Sequence, residues 1–398
     1  MPDDLTHSAI PVNSSAGKAA PPVRSLRELV DLVTGRNLPT DIGQGDAGLA
    51  EVLPYPFLAL VGQQEMKLAL LLTLLNPNIG GVLLIGPRGA GKTTAIRSML
   101  DLLPEVNHST CFYGCTEQDI LLGGMDAVCP DCAKKFGEGK PLTQKERSRL
   151  VELPLNARLE DVIGGLDERA AAHERFRLKR GILAQADQNL LFVDEVNLLA
   201  NEIVDAILDA AAQGSYTVRR GPVSATYRSR FALVGSMNPE EGSLRPQIMD
   251  RFGLRVVVGG LKNPEDRRRA YNRVRAFRSN PRGFIQQYEV ETLQARNEID
   301  EIRSRIDQIA LPDEVARKGI HLIEKMGIDS LRAEIALFEA ARASAAAENR
   351  KEVNLEDLRQ VAPLCLRQRR SDFMIDYFNH QQKEDQILHQ MVDEILSS

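Results

Sequence analysis

The run Gly86-Pro87-Arg88-Gly89-Ala90-Gly91-Lys92-Thr93, continued by Thr94, carries the clearest chemistry in the chain. Its glycines let successive backbone N–H groups turn toward one point, where they can cradle phosphate oxygens. Lys92 is spaced to reach the β- and γ-phosphates of a nucleoside triphosphate, and Thr93 offers a hydroxyl to Mg²⁺. Farther along, Asp194 and Glu195 stand side by side. Asp194 suits Mg²⁺, a hard cation that takes oxygen ligands, and Glu195 can polarise an attacking water. A glycine-rich turn arising by chance, or acids that merely cap a helix, would not come as a matched set. The set implies hydrolysis of a nucleoside triphosphate, with Mg²⁺ as its metal.

A second group of reactive side chains is Cys111-x₃-Cys115, followed after thirteen intervening residues by Cys129-Pro130-Asp131-Cys132. Two short-spaced pairs can present four thiolates tetrahedrally, the arrangement structural Zn²⁺ prefers. Cys-Pro-Asp-Cys has the look of a zinc knuckle; the first pair, with Phe112 and Tyr113 between, is less regular. A redox dithiol and unrelated free thiols remain open beside zinc. Cys365, between Leu364 and Leu366, reads as a small core residue.

These groups need positioning elements. Val82-Leu83-Leu84-Ile85 reads as a buried strand entering the glycine loop, and a helix from Lys92 to about Leu103 brings its positive dipole end to the phosphates. Asn189-Leu190-Leu191-Phe192-Val193 reads as a buried parallel strand whose carboxyl end delivers the two acids. Between that helix and that strand lie about ninety residues, more than one crossover needs, so the stretch carries inserts. A helix is expected over Gln64 to Leu75, and another over Glu202 to Ala212, where Ile203, Val204, Ile207, Leu208 and Ala211 keep helical spacing. Tyr216 to Arg230 alternates around Gly221-Pro222 and reads as a β-hairpin. Phe231-Ala232-Leu233-Val234-Gly235 and Arg255-Val256-Val257-Val258 are two further buried strands.

From about Pro264 strand signals vanish. Val290 to Ile309 reads as a long helix with Ile299, Ile302, Ile306 and Ile309 at three-four spacing and a charged opposite face. Leu311-Pro312-Asp313 ends it. Three more helices are expected to about Arg370, then a final pair over Asp372 to Ser398. The fold class is α/β: a P-loop domain on a parallel sheet, joined by a long helix to a C-terminal helical domain. The expected organisation is a flexible tail over 1–52, with one short helical piece around Leu26 to Val33. An ATPase core follows over 53–275, with a Cys-rich insert near 111–132 and a hairpin near 216–230. A helical connector spans 276–310, and a helical domain with tail spans 311–398.

Composition narrows the function classes. The 398 residues are 43% hydrophobic and 26% charged, ordinary for a globular protein of two domains. Fifty basic against 55 acidic residues, net −5, gives no reason to expect nucleic acid or an anionic membrane as partner. No apolar stretch reaches the ~18 residues a membrane span needs. Met1 to Arg24 includes Asp3 and Asp4 and no apolar signal core, and five cysteines do not make a secreted disulfide scaffold. A cytoplasmic location is expected.

In this order the pieces resemble the AAA+ ATPases, and among them the small ATPase (I) subunits of magnesium chelatase. The resemblance rests on Val61-Gly62-Gln63, the loop Gly86 to Thr94, and Val193-Asp194-Glu195-Val196-Asn197-Leu198-Leu199. It rests most specifically on Gly235-Ser236-Met237-Asn238-Pro239-Glu240-Glu241-Gly242 and Leu244-Arg245-Pro246-Gln247-Ile248-Met249-Asp250-Arg251-Phe252-Gly253. It covers about residues 53 to 368, and Leu153-Pro154-Leu155 looks like the family's helix insert. Members vary around the cysteines, so the resemblance leaves their role open.

The resemblance implies further roles. Val61, Gly62 and Gln63 would lie against adenine. Asn238 would orient the lytic water or touch the γ-phosphate, against the plainer reading of an Asn before Pro in a turn. Arg251 matches the arginine finger that reaches a neighbouring subunit's site, with Arg245 as the competing candidate. Arg332 matches the sensor 2 arginine that projects toward the phosphates, although Ser330 and Ala333 depart from the family's Gly-Leu-Arg-Gly; otherwise it is an Arg on a solvated helix face. The implied partners are copies of the chain in a ring, expected to be a hexamer, a sister AAA+ D subunit, and a large porphyrin-binding H subunit. The D subunit carries a degraded ATPase site and an acidic-proline linker, so intact acids here imply the motor that drives Mg²⁺ into protoporphyrin IX. A MoxR-like ATPase that remodels a protein partner, or assists cofactor loading, is the alternative. A helicase loader is a third reading, weakened by the absence of basic excess.

Overall fold

The structure, a computed structural model, describes residues 53–166, 178–220 and 223–370. The expected N-terminal tail, its short helix, the Gly221-Pro222 turn and the final helix pair lie outside the described residues.

Five strands form the central sheet: β1 (Val82–Ile85), β2 (Leu150–Leu153), β3 (Leu190–Val193), β4 (Ala232–Met237) and β5 (Leu254–Val257). All neighbours are parallel, in the order β5-β1-β4-β3-β2. The uninterrupted apolar runs of β1 and β3 follow from burial on both faces, whereas the edge strand β2 carries the exposed Glu152. Val82, Leu84, Phe192, Val234 and Leu254 face one side and join Leu70 and Ile96 in one core. Leu83, Ile85, Leu191, Val193 and Leu233 face the other and pack with Ile203, Ile207, Ile248 and Phe252.

A parallel sheet places all its strand carboxyl ends on one edge, and connecting segments leave there toward the ligand. The glycine loop follows β1, the acids follow β3 and Asn238 follows β4. The helix Gln64–Leu75 forms as its sequence predicts. The helix after the loop runs Lys92–Ser98 and tightens to a 3₁₀ turn at Met99–Leu102. Leu103 precedes Pro104, whose ring disfavours helical geometry in the residue before it, so the helix closes there.

The long stretch between that helix and β3 contributes β2 to the sheet and an excursion outside it. Glu105–Ser109 and Thr143–Arg147 pair antiparallel, and the helices Glu117–Gly123 and Pro130–Gly137 lie between them. A second ribbon pairs Ser215–Arg220 with Val223–Arg228 and follows the helix Asn201–Gln213.

From Pro264 the chain is helical: Pro264–Ser279, Pro281–Gln286, Glu289–Arg305, Asp313–Lys325, Leu331–Ala347 and Leu355–Leu366. The isoleucines at 299, 302, 306 and 309 are buried in the core that holds one face of the sheet. Ala333, Ala336, Ala340, Ala343 and Ala346 are fully buried, and such small side chains let neighbouring helices approach closely. Cys365 is fully buried and its thiol donates to the Ala336 carbonyl, as a core residue would. The described residues, from 53 to 370, belong to one compact unit. Among the described residues no helix is long and apolar enough to cross a membrane.

Candidate active site

At the carboxyl edge of the sheet lies a cavity of about 300 Å³ lined by Arg88, Gly89, Ala90, Gly91, Lys92, Thr93, Thr94, Asp194, Glu195, Ser236 and Asn238. Gly89 and Gly91 take φ of 77° and 87°, and nothing lies within 4 Å of where a Cβ would stand on either. That open, left-handed backbone is a cradle a phosphate can fill. Gly91 also caps the Lys92–Ser98 helix, so the free N–H groups of the first turn face the same space.

Lys92 is buried, and its ammonium donates to the carbonyls of Gly86 (2.6 Å) and Pro87 (3.0 Å). Burial pushes its amine below the ordinary lysine value, while Asp194, Glu195 and Glu241 pull it back up. The acids thus keep a cation at the place where phosphate charge would accumulate.

Asp194 and the Thr93 hydroxyl stand 3.5 Å apart, a hard-oxygen pair that fits Mg²⁺. When bound, that ion neutralises phosphate charge. The Ser236 hydroxyl donates to the Asp194 carboxylate and accepts the Glu195 N–H at 3.2 Å, so one serine on β4 fixes both acids. Glu195 itself sits at φ 48°, a left-handed conformation that costs a non-glycine residue about 1 kcal/mol or more. The residue so turned ends β3 and places its carboxylate on the cavity wall.

Asn238 is buried and holds its carboxamide in a local net. Its amide donates to Glu241 at 3.1 Å, its side-chain oxygen accepts the Glu240 N–H, and the Asn197 amide donates to its backbone carbonyl. The Asn238 bond, with Arg88 beside it, holds the Glu241 carboxyl below the usual carboxylate range. Arg88 also stands 3.7 Å from Glu195. It therefore links the loop to the acid that follows β3 and to the Asn238 turn.

Two relatives identify the lineage. A magnesium-chelatase subunit ChlI homolog from Methanocaldococcus jannaschii is 40% identical over 337 residues, which cover 84% of this chain and 90% of the relative. The magnesium-chelatase subunit ChlI of Nephroselmis olivacea is 38% identical over 320 residues, covering 79% and 88%. The chain belongs to the magnesium-chelatase I-subunit family of AAA+ ATPases. Residues 79–219 match the AAA domain family and 317–391 the AAA lid domain family. A solved complex of subunits BchI and BchD of magnesium chelatase aligns at 36% identity over 82% of this chain and 99% of that one, with a TM-score of 0.45. This I-subunit family member is an ATP-hydrolysing enzyme that uses ATP and Mg²⁺ on an α/β AAA+ fold with a helical lid.

The structure brings Lys92, Thr93, Asp194, Glu195 and Asn238 together and leaves other expected residues elsewhere. Val61, Gly62 and Gln63 do not line the cavity: the Gln63 amide donates to the Gly259 carbonyl at 2.6 Å, and Gly62 packs against Leu261. They lie against the segment leaving β5, which itself borders β1. Arg251 and Arg332 do not reach the cavity of their own chain. Arg251 is held by Asp209 at 2.7 Å and Asp205 at 3.6 Å, and Arg332 stands 3.6 Å from Asp250. Arg245 shares Asp205 with Arg251. Ser236 and Glu241 were not singled out from the sequence as site residues, although both occur in the motif stretch that ends with Gly242.

Proposed function

We propose that this chain is the ATP-hydrolysing motor subunit of a magnesium chelatase. It drives insertion of Mg²⁺ into protoporphyrin IX, held by a separate large subunit, in chlorophyll or bacteriochlorophyll synthesis. The observation that carries the reading is an intact hydrolytic set, Lys92, Thr93, Asp194, Glu195 and Asn238, around one cavity in a chain 38% identical to a ChlI subunit over 320 residues. Here Asp194 and Thr93 hold the Mg²⁺ of the nucleotide, Glu195 takes a proton from water, and Val61 to Gln63 meet adenine. In this reading residues 53–275 are the ATPase core, 276–310 the helical connector and 311–398 the C-terminal helical domain and tail.

Arg251 acts in trans in this reading, while Arg332 serves as the sensor 2 arginine that projects from the helical domain toward the phosphates. An arginine that stays outside its own cavity, held by partly exposed carboxylates and the Asp205 carbonyl, can exchange those partners for a neighbour's γ-phosphate at little cost. The working form is therefore a ring of copies, a hexamer, in the cytoplasm. Its protein partners are a D subunit and a porphyrin-binding H subunit.

Reconstitution tests this directly. The chain, mixed with D and H subunits, protoporphyrin IX, ATP and Mg²⁺, is expected to form Mg-protoporphyrin, followed by its fluorescence. ATP hydrolysis without any chelation in that mixture would overturn the chelatase reading in favour of a MoxR-like remodelling ATPase.

A further inference from the structure

Away from the nucleotide cavity, the excursion between Glu105 and Arg147 gathers four cysteines from two turns. Cys111 follows the strand Glu105–Ser109, and Cys115 follows the tight turn through Gly114. Cys129 precedes Pro130 at the start of the helix Pro130–Gly137, and Cys132 lies in that helix's first turn. All four Sγ atoms lie within 4.8 Å of one another. Cys111 Sγ stands 3.5 Å from Cys129 Sγ and 3.7 Å from Cys115 Sγ.

Those separations match one chemistry. A disulfide needs sulfurs about 2 Å apart. Four thiolates at zinc–sulfur distances of about 2.3 Å in a tetrahedron stand about 3.8 Å from one another. The spacing suits one ion and leaves too little room for an iron–sulfur cluster. Thiolates are soft ligands and select against Mg²⁺, whose oxygen site lies around Asp194. Backbone N–H groups already point at the sulfurs, Tyr113 to Cys111 at 3.2 Å and Cys129 to Cys115 at 3.4 Å, as donors to thiolates would.

The excursion also needs a staple. Its fully buried apolar residues are Cys115, Ile120, Cys132 and Leu142, so half of its small core is cysteine. Segments of roughly forty residues rarely hold together on so little apolar burial without a metal or disulfide.

We propose that Cys111, Cys115, Cys129 and Cys132 bind a single structural Zn²⁺ that folds this insert and fastens it to the neighbouring ribbon. The fastening is visible beside the cluster. Asp119, buried within the insert, meets Arg228 at 3.1 Å and Arg230 at 3.6 Å, and the Tyr113 carbonyl accepts the Arg228 N–H. Phe112 packs its ring against Tyr227 on that ribbon. The ribbon leads directly into β4, the strand that ends at Asn238. Zinc in the insert therefore braces the entry to the strand that carries a hydrolytic residue, while making no contact with nucleotide.

The test uses the full chain purified under reducing conditions without chelator. Metal analysis is expected to find about one zinc per chain, and p-hydroxymercuribenzoate should release it as it modifies thiols. Cys129→Ser should remove the zinc and speed tryptic cleavage within 105–147, because local folding and metal binding are linked. Cys365→Ser, outside the cluster, should keep it. Unmodified protein that carries no zinc and whose four thiols alkylate freely would overturn the proposal, whatever the variants do. So would iron in place of zinc, or a disulfide between any two of the four. None of these readouts depends on ATP hydrolysis or chelation, so failure here leaves the proposed function standing.

Discussion

Asp194 and Glu195 adjoin in sequence, yet the Asp194 carboxylate is held by the Ser236 hydroxyl while the Glu195 carboxylate stands on the cavity wall beside Arg88. Asp194 is held by Ser236 and set beside Thr93, which suits a stationary metal ligand. Glu195 lines the cavity, as a base toward water must. Glu195→Gln keeps shape but removes the charge, so nucleotide binding should persist while turnover falls about 10²-fold or more. Fluorescent-nucleotide titration beside a phosphate-release assay separates the two, and an unchanged rate would end the assignment. Ser236→Ala leaves both acids present but unclamped. Loss of such outer support typically costs about 10-fold in metal affinity or activity, so the Mg²⁺ concentration for half-maximal ATPase should rise by about that factor. The glycine loop and the paired acids were legible because each is a local pattern with its own chemistry. Ser236 was not, because its role arises from strand register: β4 lies beside β3, with Gly235 opposite Val193, which carries Ser236 to the acids. A hydroxyl at the end of an otherwise apolar buried strand was the available signal.

At the scale of elements, strands β1, β3, β4 and β5 were readable from continuous apolar runs, and the C-terminal helices from their spacing. The excursion at 105–147 was not, since its short strands alternate weakly and its order depends on cysteines whose spacing alone left three chemistries open. Nor did periodicity disclose what joins the helical region to the helix Pro246–Arg251. Arg369, fully buried, donates to the Asp250 carboxylate, to the carbonyls of Phe252 (2.8 Å) and Gly253 (3.2 Å), and to that of Cys365. Asp250 also accepts the Ser330 hydroxyl and adjoins Arg251. Arg369→Ala orphans several buried acceptors at once and should cost about 3 kcal/mol in urea unfolding. Arg367→Ala removes a half-exposed pair with Glu65 and should cost under about 1 kcal/mol. Equal losses would show that Asp250 is not the junction. A second device stabilises the last described helix. Burial opposes ionisation of Asp357, but Arg350, at 2.5 Å, and the Asn354 N–H hold its carboxyl below the usual range. A depressed folded value gives stability that is full above the unfolded value and lost as pH falls through the folded one. The melting temperature should therefore drop between about pH 4 and pH 2 more steeply in the parent than in Asp357→Asn.

For the whole molecule, the distribution of arginines relative to the cavity is what matters. The cavity contains Lys92 and Arg88, while Arg245, Arg251 and Arg332 are held elsewhere by Asp205, Asp209 and Asp250. Sequence named Arg251 and Arg332 through the family's motifs but could not place them, since their carboxylate partners Asp205, Asp209 and Asp250 come together only through the fold. If Arg251 serves the neighbour, Arg251→Ala should bind ATP nearly as the parent does, yet hydrolyse it about 10³-fold more slowly. Lys92→Ala should be inactive for the opposite reason, because its own cavity fails while its Arg251 remains intact. Mixed in one ring, the two variants create interfaces in which an intact cavity faces an intact arginine. Steady-state ATPase measured across mixing ratios should then pass through a maximum above the sum of the separate rates. A strictly additive line, with mixed rings verified by differential tagging, would place Arg251 in its own chain's service and remove the argument for a trans site. Repeating the mixture with Arg245→Ala in place of Arg251→Ala distinguishes the two arginines that share Asp205: the one whose loss is rescued by Lys92→Ala is the finger.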